Sequence, residues 1–266
     1  MGNLYSVVTN YINTTNNNSN KNNLIVNIPI KLNHNNIQSN KVEKKTEVIY
    51  SNEKIKLFNN KYKITIDQEI KFINSFNEEI NETYTNLFYT WDKIIFGFSF
   101  NQNVKNKFTP NVILIKFGHN FNQPIESLCI NGDENFNLVE LILGSHFNQK
   151  VDNLTQGLIK ITFGECFNQD VSNLPTSIEY IKFGDNFNNP VDYLPCGLTW
   201  IFFGNKFNYP IDNLPSGIEF IRLGNEFDIR INLFSSKLKK IEISKKYYDD
   251  NKLYLDKIIK CELTLY

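Results

Sequence analysis

Three kinds of residue in this chain could do chemistry by type. His119 and His146 could hold a transition metal or pass a proton, and Cys129, Cys166, Cys196 and Cys261 could act as nucleophiles or zinc ligands. Gly2 could take an acyl chain, because the start Met-Gly-Asn-Leu-Tyr-Ser fits the N-myristoylation pattern with Ser6 in the favoured place. Metal sites and nucleophile–base pairs need their members at short, fixed separations. The cysteines form no Cys-x-x-Cys pair and share no evident step with either histidine, while His34 stands in a polar tract. The glycines are spread evenly and form neither a phosphate loop nor a dinucleotide fingerprint. The expectation is a protein with no catalytic residues, no cofactor and no metal, with its histidines at the surface and its cysteines reduced.

The glycines have another purpose. Gly97, Gly118, Gly144, Gly164, Gly184, Gly204 and Gly224 are 20 residues apart in the later copies, with intervals of 21 and 26 at the start. Three residues after each comes a phenylalanine, from Phe100 to Phe227, and then Asn101, Asn122, Asn148, Asn168, Asn188, Asn208 and finally Asp228. Apolar residues also recur six, three and one before the glycine and seven and ten after it, as in Ile178, Ile181, Phe183, Val191 and Leu194. One such coil cannot bury its apolar wall alone, but stacked copies make a continuous core. Inward residues two apart, as in Ile181-Lys182-Phe183, have the period of a strand, and the glycine follows where the backbone must bend. Pro175, Pro195 and Pro215 fall in the return segment, where a missing N–H harms no ladder. Asparagines stacked at the strand repeat can hydrogen-bond from coil to coil. The six extra residues between Gly118 and Gly144 are expected to bulge as a loop without disturbing the columns on either side.

These columns, with "LPTSIEYIKFGDNFNNPVDYLP" as the clearest copy, resemble the FNIP repeat, a short leucine-rich-repeat-like unit abundant in amoebae and in the giant DNA viruses that infect them. The resemblance covers residues 91 to about 243. It implies a curved, protein-binding solenoid, while the reduced cysteines point to the cytoplasm, which would be host cytoplasm for a viral protein, with peripheral membrane attachment only through Gly2. Many members carry an F-box before the repeats and resemble ubiquitin-ligase adaptors. Residues 46–90 show neither its Leu-Pro start nor its amphipathic helices, so an adaptor role is not expected. The fold class is mainly β: a single leucine-rich-repeat-like solenoid with one short parallel strand per 20-residue coil, behind a disordered Asn-rich N-terminal tail. The expected divisions are the tail at 1–45, a capping region at 46–90, repeats at 91–243 and a C-terminal cap at 244–266.

Composition sets the partners. The 41% hydrophobic residues supply a core, and the 28 basic and 28 acidic residues cancel, leaving no bulk field to attract nucleic acid. No apolar run is long enough to span a bilayer, so a membrane is expected as a partner only if Gly2 is myristoylated, and a single such chain binds marginally and reversibly. Recognition must then come from what the strands turn outward. In the last coils those positions hold Tyr180, Trp200, Phe202 and Phe220, with Lys182 and Arg222 at the edge. Large rigid rings rimmed by cations have the character of a protein-binding hot spot. The alternatives are that the C-terminal segment folds over this patch, or that the chain is a scaffold contacting its own copies. If the Phe column is core, Phe187→Ala should cost roughly 3–5 kcal/mol in chemical denaturation and Lys182→Ala far less; equal losses would reverse the assignment of inward and outward columns.

Overall fold

The computed structural model describes residues 23–27, 47–52, 68–72, 74–89, 91–129, 136–231 and 235–266. Gly2, most of the Asn-rich tail and residues 130–135 of the insertion lie outside them. Within the segment expected to be disordered, the described part is a strand, β1 (Asn23–Asn27), which pairs antiparallel with β2 (Glu47–Asn52). Beyond these come β3 (Gln68–Phe72), β4 (Lys93–Ile95), β5 (Leu114–Lys116), β6 (Glu140–Ile142), β7 (Lys160–Thr162), β8 (Tyr180–Lys182), β9 (Trp200–Phe202), β10 (Phe220–Arg222), β11 (Lys240–Ile243) and β12 (Glu262–Leu265). Among the described residues two helices interrupt them, α1 (Glu82–Phe88) and α2 (Lys245–Ile258). All strands lie in one sheet in chain order. From β3 to β12 the pairing is parallel and in register, so that Ile181 is flanked by Ile161 and Ile201. The fold is a parallel β-solenoid whose nine turns connect ten strands, about 43 Å long at the usual strand spacing.

All six apolar columns point inward. In one coil Ile178, Ile181, Phe183, Phe187, Val191 and Leu194 are buried, and the neighbouring coils repeat this. The Phe column forms a ladder from Phe76 to Phe227 in which successive rings lie 5.8–6.2 Å apart and within 14° of parallel. A second ring from the strand end packs on it inside most coils, as Phe183 does on Phe187 at 3.8 Å. Both ends close edge-on. Tyr84 of α1 meets Phe76 at 72°, and Tyr247 of α2 meets Phe227 at 70°.

The glycine column has a different cause from the bend expected for it. None of Gly118, Gly144, Gly164, Gly184, Gly204 and Gly224 has a φ in the left-handed region. What the site lacks is room: a Cβ on Gly144, Gly164, Gly184, Gly204 or Gly224 would lie 1.7–2.1 Å from the carbonyl oxygen of the glycine one coil earlier. That oxygen cannot swing away, because it accepts the N–H of the Phe three residues on, at 3.3 Å for Gly164 and Phe167.

The Asn column fixes the adjoining turn. Each Asn Oδ1 from Asn77 to Asn188 accepts the backbone N–H of the Asn in the next coil at 2.8–2.9 Å, and that of Asn208 accepts the N–H of Asp228 at 3.2 Å. The same oxygen usually takes a second bond from the following side chain, as from Gln169 Nε2 to Asn148 at 3.0 Å. An amide accepts without placing a row of charges at coil spacing. The ladder stops at Asp228 because the next backbone N–H in the column, that of Tyr248, donates to Ser244 inside α2.

The sheet runs past the expected repeat boundaries at both ends. Residues 68–72 and 74–77 belong to a further coil in which Phe72 and Phe76 stack on Phe96 and Phe100 and Asn77 joins the Asn ladder. This copy has Ile73 where the others have glycine, so a count of glycines begins one coil late. At the far end Ser244 stands in the glycine column and caps α2, its hydroxyl accepting the N–H of Tyr247 at 3.2 Å. A helix then replaces the turn before β12 pairs with β11.

The insertion after Cys129 leaves the columns in step, since β5 and β6 pair directly. Phe136, however, is buried and belongs to the core. Gly184 and Gly157 should respond oppositely to alanine. Gly184→Ala forces backbone apart and should cost about 3 kcal/mol, whereas Gly157→Ala, whose nearest non-neighbouring atom would be 3.6 Å away, should be neutral or slightly stabilising in the same urea titration.

Candidate functional site

The strand face is built by alternation. In each strand of β4–β9 the central residue is buried and the two beside it turn outward, as Ile181 does between Tyr180 and Lys182. Parallel in-register pairing lines the outward residues up along the stack, so the side chains on β8, β9 and β10 meet because their coils are consecutive.

The four aromatic residues singled out from the sequence form one cluster. Trp200 lies over Phe220, with ring centroids 4.8 Å apart and planes within 13°. Phe202 meets Phe220 at 4.7 Å and Tyr180 at 5.3 Å. Their roles differ: Phe220 is only 5% exposed and forms the floor, Trp200 is 43% exposed, and Tyr180 and Phe202 are half-buried at the sides. Burial, assisted by the Glu140 carboxylate, pushes the Tyr180 hydroxyl above its ordinary pKa, so it stays a neutral donor at physiological pH.

The two cations also differ. Lys182 is exposed beside Tyr180. Arg222 is engaged by the C-terminal segment: its guanidinium stands 4.6 Å from the centroid of the Tyr266 ring and its Nε 3.9 Å from Glu242 Oε2, and the Tyr266 hydroxyl donates to the carbonyl of Leu223. Lys240 pairs with Glu242 at 3.1 Å and lies over the far side of Phe220. The C-terminal segment therefore extends the sheet through β12 and holds the edge of the patch at Arg222, while Trp200 keeps its exposure. The tie was not visible in the sequence, because Arg222 and Tyr266 occupy no common repeat position.

The residues considered for catalysis gather only in part. His119 stacks on Phe98 at 4.5 Å and lies 4.3 Å from the ring of His146. Cys166 does stand in step with His146, two residues after its glycine one coil later, a relation that the sequence reading missed by comparing the cysteines as a set. Among the described residues no three His, Cys, Asp or Glu side chains form a group that could hold a metal ion. Cys129 is buried, and Cys261, near the chain end, has its thiol pKa raised by burial.

The FNIP Repeat family model matches residues 167–206, which span consecutive coils from the ring of Phe167 to the turn after Gly204. Among solved structures, the chain is similar to CroV588, described as a novel circular LRR protein, at 25% identity and a TM-score of 0.45, over 71% of this chain and 38% of that one. The chain thus spans well under half the length of that structure. No curated protein matches the sequence.

Proposed function

We propose that this FNIP-repeat solenoid is a protein-interaction module that binds a partner protein through the open face of its parallel sheet. The observation that carries the reading is the exposure of Trp200 on a pre-packed aromatic floor. Tyr180, Phe202 and Phe220 already hold one another in place, so a partner that covers Trp200 gains apolar burial with little side-chain ordering to offset it. Solenoids of this kind present extended surfaces in preference to enclosed sites. Lys182 and Arg222 supply the polar rim that excludes water around the rings.

Affinity capture from the native cell tests the proposal. Trp200→Ala should weaken the captured complex by about 2 kcal/mol or more while leaving the melting temperature nearly unchanged, since the ring contributes mainly to the complex. An unaltered complex would remove the patch from the function.

Among the described residues no helix is long and apolar enough to cross a membrane. Attachment through Gly2 is a separate proposal that rests on the opening sequence alone. Co-expression with an N-myristoyltransferase should add the mass of one myristoyl group to the intact protein, and an unmodified mass would end it.

A further inference from the structure

The partner's chemistry follows from how charge is distributed over the molecule. On the chain as a whole 28 basic residues cancel 28 acidic ones. The outward positions of β4–β11 do not share this balance: they hold six lysines or arginines against Glu140 and Glu242, a surplus of four positive charges. Glu242 is occupied by Arg222 and Lys240. Lys116, Lys160 and Lys182 are exposed and form no ion pair among the described residues. They follow one another along β5, β7 and β8 and lead directly to Tyr180, Phe202 and Trp200.

We infer, on the premise that the strand face is the binding surface, that its occupant is an extended acidic segment of a partner protein, with carboxylates over Lys116, Lys160 and Lys182 and one large apolar side chain on the Trp200 cluster. The dimensions suit a single extended chain. From β5 to β9 is four strand spacings, about 19 Å, which an extended peptide covers in about six residues. Three exposed carboxylates border the strip, Glu179 where β8 begins and Glu165 and Asp185 at the turns after β7 and β8. A narrow acidic peptide running along the stack meets the lysines, clears these bordering carboxylates and passes Glu140, which is half-buried on β6 beside Lys160. A nucleic acid carries its charge in a continuous backbone and would bring phosphates against one flank or the other. Charge on the strip and repulsion from its sides together select an occupant that is acidic, narrow and locally apolar.

The test is selection from a randomised peptide display library on the intact protein, followed by fluorescence anisotropy with the recovered peptide. The inference expects peptides with several Asp or Glu residues close to an aromatic or leucine. Their binding should weaken with salt and fall at least about tenfold both in Trp200→Ala and in the combined Lys116→Glu, Lys160→Glu, Lys182→Glu variant, with melting temperatures unchanged. Peptides that depend on Trp200 but carry no acidic excess would overturn the inference while leaving the strand-face reading intact. Peptides that bind Trp200→Ala as well as the parent, or no recovered peptides at all, would overturn both. Tighter binding of a labelled oligouridine than of the recovered peptide would reassign the face to nucleic acid, and a Trp200-dependent dimer in sedimentation would reassign it to a second copy.

Discussion

Everything in this molecule depends on how closely one coil approaches the next at the glycine column. There the backbone of each coil rests against a carbonyl that its own turn holds in place, and the space for a side chain is absent. Because the approach is backbone on backbone, it fixes the register of the neighbouring coils. The Phe rings then fall at nearly constant separations, and each Asn oxygen meets the N–H above it. A solenoid adds such nearest-neighbour terms along its length, so a misplaced coil would cost both of its interfaces at once.

The same constraint produces the proposed binding surface. In-register pairing sorts outward residues into columns, so three consecutive coils with rings at those positions yield an aromatic cluster, and lysines in other coils yield a cationic strip beside it. No pocket or special loop is required. A substitution at one outward position changes one square of the surface and leaves the stack alone. The end coils serve other needs: Tyr84 and Tyr247 turn their rings across the ladder and stop it, and α2 withdraws the N–H that would have continued the Asn column.

Periodicity made most of this legible in the sequence. Six inward columns, one strand per coil, the Asn ladder and the outward aromatic cluster all follow from residues that repeat in step, because a structural repeat writes its contacts as a sequence period. What stayed hidden breaks the period. The coil around Phe72 and Phe76 carries Ile73 in place of glycine, and the C-terminal coil carries Ser244 and a helix, so neither looked like a repeat. The tie between Tyr266 and Arg222 joins two residues with no common column. The cause of the glycines was also illegible: a bend and a lack of space both call for glycine, and the absence of a left-handed φ from Gly118 to Gly224 together with the neighbouring carbonyl decides for space.

In the proposed complex the strand face, and not the return side of the coils, meets the partner. Hydroxyl-radical footprinting of the free protein and of the captured complex tests it with two reporters in one molecule. Trp200 is 43% exposed on the strand face, and Tyr193 is 76% exposed on the return segment. The account predicts that the partner protects Trp200 and Tyr180 from oxidation and leaves Tyr193 as reactive as in the free chain. Protection of Tyr193 with Trp200 unchanged would contradict it.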